Sequence, residues 1–134
     1  MPFAAGGLRS NLHDVLAFSD ALFHERLLTN ASSRKMFAHA RVQDGRLVQD
    51  AMYDSPQAPA EDWPQNVTEF GYGLGINTWV QSEERFYSHS GLIDGFSAYL
   101  IHAPRTQMTV AVLSNSQDGT SGFGQLIRDE LIAA

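Results

Sequence analysis

The segment Tyr87-Ser88-His89-Ser90-Gly91-Leu92-Ile93-Asp94-Gly95-Phe96-Ser97-Ala98-Tyr99-Leu100 commits the second half of this chain to an antiparallel hairpin. Two runs rich in aromatic, hydroxyl and aliphatic residues flank Asp94-Gly95, a pair that reverses a chain within two residues because glycine tolerates the positive φ such a turn needs. Strands are expected over Arg85 to His89 and Phe96 to His102, and a third over Gln107 to Ser114 after a turn at Pro104-Arg105-Thr106. Connections this short leave no room for a crossover, so the sheet is antiparallel. Met108-Thr109-Val110-Ala111-Val112-Leu113 is almost continuously apolar, the pattern of a central strand covered on both faces.

Upstream, Phe70 to Val80 alternates strictly, with Tyr72, Leu74 and Ile76 on one face and Gly71, Gly73 and Gly75 on the other. That pattern predicts one further strand with a nearly bare face, open to close approach by another element or a ligand. The glycine spacing is not G-x-G-x-x-G, which excludes a phosphate-binding loop. Leu8, Leu12, Val15, Leu16, Ser19, Leu22 and Phe23 fall at helical spacing and predict an amphipathic helix over residues 10–24, capped by Ser10 with Asp14 in its first turn. Asn30 is placed to cap a second, short helix. Phe123, Leu126, Ile127 and Leu131 make the stripe of a C-terminal helix that starts near Thr120 or Ser121 and covers one sheet face.

Between these parts the periodicity dissolves, and Pro56, Pro59 and Pro64 mark a long excursion with a hairpin expected near Arg46 to Met52. The order predicts an α+β fold in one domain: a helical segment over 1–38, a long loop over 39–68, and over 69–134 an antiparallel sheet of about four strands with its helix. At 134 residues and 43% hydrophobic content there is material for one core. The formal charge of −6, with eight Arg and one Lys scattered along the chain, excludes nucleic acid or an anionic membrane as the main partner. A neutral or cationic small molecule fits better. No apolar run reaches the roughly 18 residues of a membrane span, and the first residues lack the basic start and apolar run of a signal peptide. Without cysteine there is neither a thiolate nucleophile nor a disulfide framework, so the sequence gives no compartment.

Few residues are placed to do chemistry. Ser32-Ser33-Arg34-Lys35 matches S-x-x-K, in which a lysine one turn later activates a serine, but the polar stretch around it reads as a solvated surface turn. Gly95-Phe96-Ser97-Ala98-Tyr99 begins like a nucleophile elbow, yet it runs into a strand where an elbow turns into a helix. His13, His24, His39, His89 and His102 show no H-E-x-x-H spacing, so no metal site and no cofactor are expected. His89-Ser90-Gly91 remains, a basic and a hydroxyl side chain followed by a glycine at a strand end.

Its context adds to it. Pro2 to Ser10, Leu27-Leu28-Thr29, Tyr72-Gly73-Leu74-Gly75, His89-Ser90-Gly91 with Gly95-Phe96-Ser97, and Val110 to Asn115 occur in one order. This series resembles the C-terminal portion of the class C β-lactamase-related serine hydrolases, a group that includes β-lactamases, penicillin-binding proteins, D-aminopeptidases and β-lactamase-like esterases. The resemblance implies an antiparallel sheet flanked by helices, with the nucleophilic serine in a separate helical region. It places His89 where many members have lysine and Ser90 at the hydroxyl position, both as catalytic and substrate-binding residues. Gly91 would let substrate lie against the strand, and Leu92 would give a backbone N–H to the oxyanion hole. An imidazole holds a carboxylate less firmly than an ammonium does, which makes esterase and peptidase activities as natural as β-lactamase activity.

The family's Y-x-N motif has no counterpart, since none of Tyr53, Tyr72, Tyr87 and Tyr99 stands two residues before an asparagine. The chain is therefore expected to be a partial domain that carries the substrate-binding strand but not the S-x-x-K nucleophile. Its partners would be an amide, ester or β-lactam substrate and the N-terminal part of the same enzyme. The alternative is a noncatalytic remnant that binds a ligand or another chain, including a second copy, through an open sheet edge.

Overall fold

The structure, a computed structural model, describes residues 6–48, 67–117 and 123–133. The element order is α1 (Leu12–Phe23), α2 (Asn30–Phe37), β1 (Val67–Tyr72), β2 (Asn77–Gln81), β3 (Glu84–Ile93), β4 (Phe96–Ala103), β5 (Met108–Ser114) and α3 (Phe123–Ala133). The five strands pair in sequence order, each antiparallel to the next, and helices lie against the sheet in an α+β arrangement.

The run Phe70 to Val80, expected as one strand, is two. Gly75 adopts φ +80°, a conformation open to glycine at no steric cost, and the Gly73 N–H donates to the Ile76 carbonyl at 2.8 Å to close a turn between β1 and β2. Two of the three glycines on the bare face serve close packing. A Cβ on Gly71 would lie 2.2 Å from the His39 ring, and one on Gly73 would lie 2.1 Å from the Met36 carbonyl oxygen. The space the side chains leave is thus filled by the segment that leaves α2, which also pairs with β1 through Ala40 N–H to Tyr72 O at 2.7 Å. His39 Nε2 reaches the Thr78 hydroxyl at 2.8 Å over that bare backbone.

The core sits between the sheet and α3. Trp79, Phe86, Ile101 and Ala103 share one face, with Leu131 of α3 packed on them and Ile127 and Ile132 beside it. Leu126, expected in the same stripe, is exposed, and Ile132 is the residue that faces inward. On the opposite face the rings of Phe23 from α1 and Phe37 from α2 stack on Tyr87. Phe23 also covers His102.

Among the described residues the strand Met108–Ser114 lies at the end of the sheet order, not in its middle. A continuous apolar run reports cover on two faces, which β5 takes in part from the adjoining α1, and it says nothing about how many neighbouring strands there are. The caps also differ from expectation. Asn11, not Ser10, caps α1, its Oδ1 accepting from Asp14 N–H at 3.0 Å. Thr29, not Asn30, caps α2, its Oγ1 accepting from Ser32 N–H at 3.3 Å. The α1 cap thus lies one residue later than expected and the α2 cap one residue earlier. Arg41 bridges Leu47 around a turn at Gly45; the hairpin expected near Arg46 to Met52 runs past residue 48 out of the described residues, and the helix start expected near Thr120 or Ser121 also lies outside them.

Candidate active site

β3 changes character at its middle. From Glu84 to Ser88 it pairs with β2 on one side, and from Tyr87 to Ile93 with β4 on the other, so the pairing with β2 ends at Asn77 opposite Ser88. Phe86 is fully buried and Ser88 nearly so, whereas His89, Ser90, Gly91, Leu92 and Ile93 are all exposed. These five residues keep β4 as a neighbour and, among the described residues, leave the other strand edge open. In an antiparallel pair, alternate residues turn both backbone polar groups away from the partner, so the open edge presents N–H and C=O groups to an incoming chain or ligand.

The structure brings His89, Ser90, Gly91 and Leu92 together on this edge, opposite Leu100, Tyr99, Ala98 and Ser97 of β4. The Ser90 hydroxyl has no hydrogen-bond partner among the described residues. A Cβ on Gly91 would meet only the Ala98 Cβ, at an ordinary 3.8 Å, so packing does not require glycine there. Leu92, Ile93 and Phe96 expose apolar side chains at the hairpin tip beside the polar pair.

Tyr72, which the sequence did not single out as a site residue, lies beside these four. Tyr72, Asn77 and Ser88 form one row across β1, β2 and β3, and the phenol oxygen lies 3.2 Å from His89 Nε2 just beyond that row. The two rings are 6.3 Å apart and tilted by 56°. The signal that could have found it is the turn after Tyr72, which brings the end of β1 beside β3.

Other polar candidates fall elsewhere. Ser32 and Lys35 are exposed on α2, and the Ser32 hydroxyl accepts a hydrogen bond from Thr29 Oγ1 within the helix cap. Ser97 is buried and its Oγ donates to the Ser116 carbonyl at 2.8 Å. His102 is buried against Phe23, with Nδ1 2.8 Å from Thr109 Oγ1. Burial, assisted by the nearby His24 and opposed by Glu84, pushes the His102 imidazole down to about 4. Burial pushes the Tyr87 phenol up, against a smaller opposing effect of Arg85. Among the described residues no group of three or more His, Asp or Glu side chains is placed to hold a metal, and no helix is long and apolar enough to cross a membrane.

The family model described as Beta-lactamase matches residues 1–134. The chain belongs to the β-lactamase family. Among solved structures, this β-lactamase-family chain is similar to the octameric penicillin-binding protein homologue from Pyrococcus abyssi, with a TM-score of 0.64 at 18% identity over 92% of the chain. The chain spans 24% of that protein's length. No curated protein sequence matches it. The likeness carries the fold, and in this family member the residues singled out from the sequence, His89, Ser90, Gly91 and Leu92, lie together on the exposed half of β3.

Proposed function

We propose that this chain is the substrate-binding portion of a β-lactamase-like serine hydrolase that acts on an amide, ester or β-lactam carbonyl. The observation that carries the reading is the edge of β3 over residues 89–93, unpaired by β2 and lined by a basic, a hydroxyl and a glycine residue in succession. Substrate lies along this edge as an added strand, which suits an extended peptide-like acyl group. His89 holds or relays a proton, Ser90 offers a hydroxyl to substrate, and Gly91 keeps the edge free of a side chain. The backbone N–H of Leu92 faces the carbonyl oxygen as negative charge develops on it, a contribution of roughly 3 kcal/mol for one such donor.

The acylating serine comes from outside these residues. It attacks the carbonyl, its proton passes to a neighbouring base, the leaving group departs, and water then releases the acyl group. Incubating the purified chain with a penicillin and separately with a fluorophosphonate, followed by intact mass and peptide mapping, tests this division. The expected result is no adduct on the isolated chain. A stable adduct on Ser32 or Ser90 would show that the chain holds its own nucleophile and would overturn the reading.

A second reading, association through a sheet edge, draws on β5. Its outer edge has no strand neighbour among the described residues, and Met108–Ser114 carries no charge to discourage pairing. Size-exclusion chromatography over a range of concentrations decides it, with a monomer at all of them counting against.

A further inference from the structure

We propose that Tyr72 is a positioning residue for His89, whose phenol fixes the imidazole as the neutral Nδ1–H tautomer. The inference rests on the reading of β3 as the substrate-binding strand. It starts from the 3.2 Å separation between the Tyr72 hydroxyl and His89 Nε2. A neutral imidazole carries one N–H and one lone pair, and the partner at either nitrogen decides which is which. A phenol is a better donor than acceptor, so Tyr72 O–H donates to the Nε2 lone pair. The ring proton then sits on Nδ1, which meets no hydrogen-bonding group among the described residues.

The register explains why this contact forms at all. Tyr72 is the last residue of β1 and pairs with Asn77, which pairs with Ser88, so the turn between β1 and β2 delivers a long side chain to the point where β3 loses its neighbour. Tyr72 is half-buried and held at its backbone, where its carbonyl accepts from Ala40 N–H at 2.7 Å. His89 is exposed, and one fixed partner removes much of the freedom of a surface imidazole. Pinned in this way, His89 presents Nδ1–H as a donor toward a carboxylate or carbonyl oxygen on the open edge. Without Tyr72 the ring rotates freely and exchanges tautomers, and histidine in water favours the other one, with the proton on Nε2.

Long-range proton–nitrogen NMR correlation on the full chain labelled with nitrogen-15 reads the tautomer of each histidine directly, at a pH where His89 is neutral. The expected spectrum shows His89 mainly with protonated Nδ1. Tyr72→Phe, which keeps the ring and removes the hydroxyl, should shift the tautomer ratio toward Nε2–H by about fivefold, the net worth of one hydrogen bond. A wild-type His89 mainly in the Nε2–H form overturns the proposal by itself, whether or not the variant folds. An unchanged ratio in a folded Tyr72→Phe variant overturns it as well. Titration with N-acetyl-D-alanine, followed at the backbone amides of residues 89–93, tests the substrate-strand reading separately, because the tautomer measurement needs no ligand.

Discussion

The imidazole of His102 lies flat on the ring of Phe23, with centroids 4.0 Å apart and planes 5° from parallel. This stack, with the Thr109 hydroxyl at Nδ1, stores the histidine as a neutral, buried side chain that ties α1 to β4.

Stability should therefore depend on pH through His102. Its imidazole titrates near 4 in the folded chain and near the ordinary 6.5 once unfolded. Above 6.5 both states are neutral and the histidine adds no pH dependence. As pH falls from 6.5 to about 4 the unfolded chain takes up a proton that the folded chain refuses, so stability declines by up to about 1.4 kcal/mol per pH unit. Urea midpoints measured from pH 7 to pH 4.5 should fall, and the fall should be shallower in His102→Gln. Parallel profiles in the two proteins would contradict the assignment.

Gly71 and Gly73 predict a graded pair of effects. Gly71→Ala drives a methyl into the His39 ring, a side chain that can swing away, and should cost about 1–2 kcal/mol. Gly73→Ala meets the Met36 backbone carbonyl, which cannot move without shifting α2, and should cost about 3 kcal/mol. Adding His39→Ala should rescue the first variant and not the second, as read by denaturant melts.

Glu84 is 2% exposed, and its carboxylate accepts hydrogen bonds from the Arg105 side chain and, at 3.3 Å, from the Arg105 backbone N–H. Arg105→Ala leaves a buried carboxylate with one charged partner fewer and should cost roughly 2–3 kcal/mol. The double variant Glu84→Gln with Arg105→Ala should recover part of that loss. Thermal melts of the two proteins side by side provide the check.

Gly91 should separate binding from folding. Gly91→Ala brings its methyl into ordinary contact with Ala98, so melting should change by less than about 0.5 kcal/mol. The same methyl projects from the sheet face beside the open edge, and binding of N-acetyl-D-alanine should weaken at least severalfold in an NMR titration. Unchanged binding would remove substrate approach as the reason for glycine at this position.

What the sequence showed, and what it hid, follows from the range of each signal. Asp94-Gly95 and the alternation on either side are local, and β3 and β4 pair around that turn. The α+β character follows from element order alone. The glycine run misled because period-two alternation continues unbroken through a tight turn, and only the backbone conformation of Gly75 distinguishes one strand from two. β5 misled because apolar content measures burial of faces while sheet position depends on which other strands are present. His89, Ser90, Gly91 and Leu92 are consecutive and could be found by reading along the chain. Tyr72 lies 17 positions from His89, and their contact depends on a register that no local pattern encodes.

The division of β3 at Ser88 also has a practical meaning for anyone who wishes to alter this protein. Its first half pairs with β2 and meets β4 only at Tyr87 and Ser88, while its exposed second half runs along β4 alone, so a library randomised over residues 89–93 samples the proposed binding edge while sparing the buried residues Glu84, Phe86 and Ser88. A single strand thus offers both a foundation to leave alone and a short, contiguous stretch on which new specificity can be written.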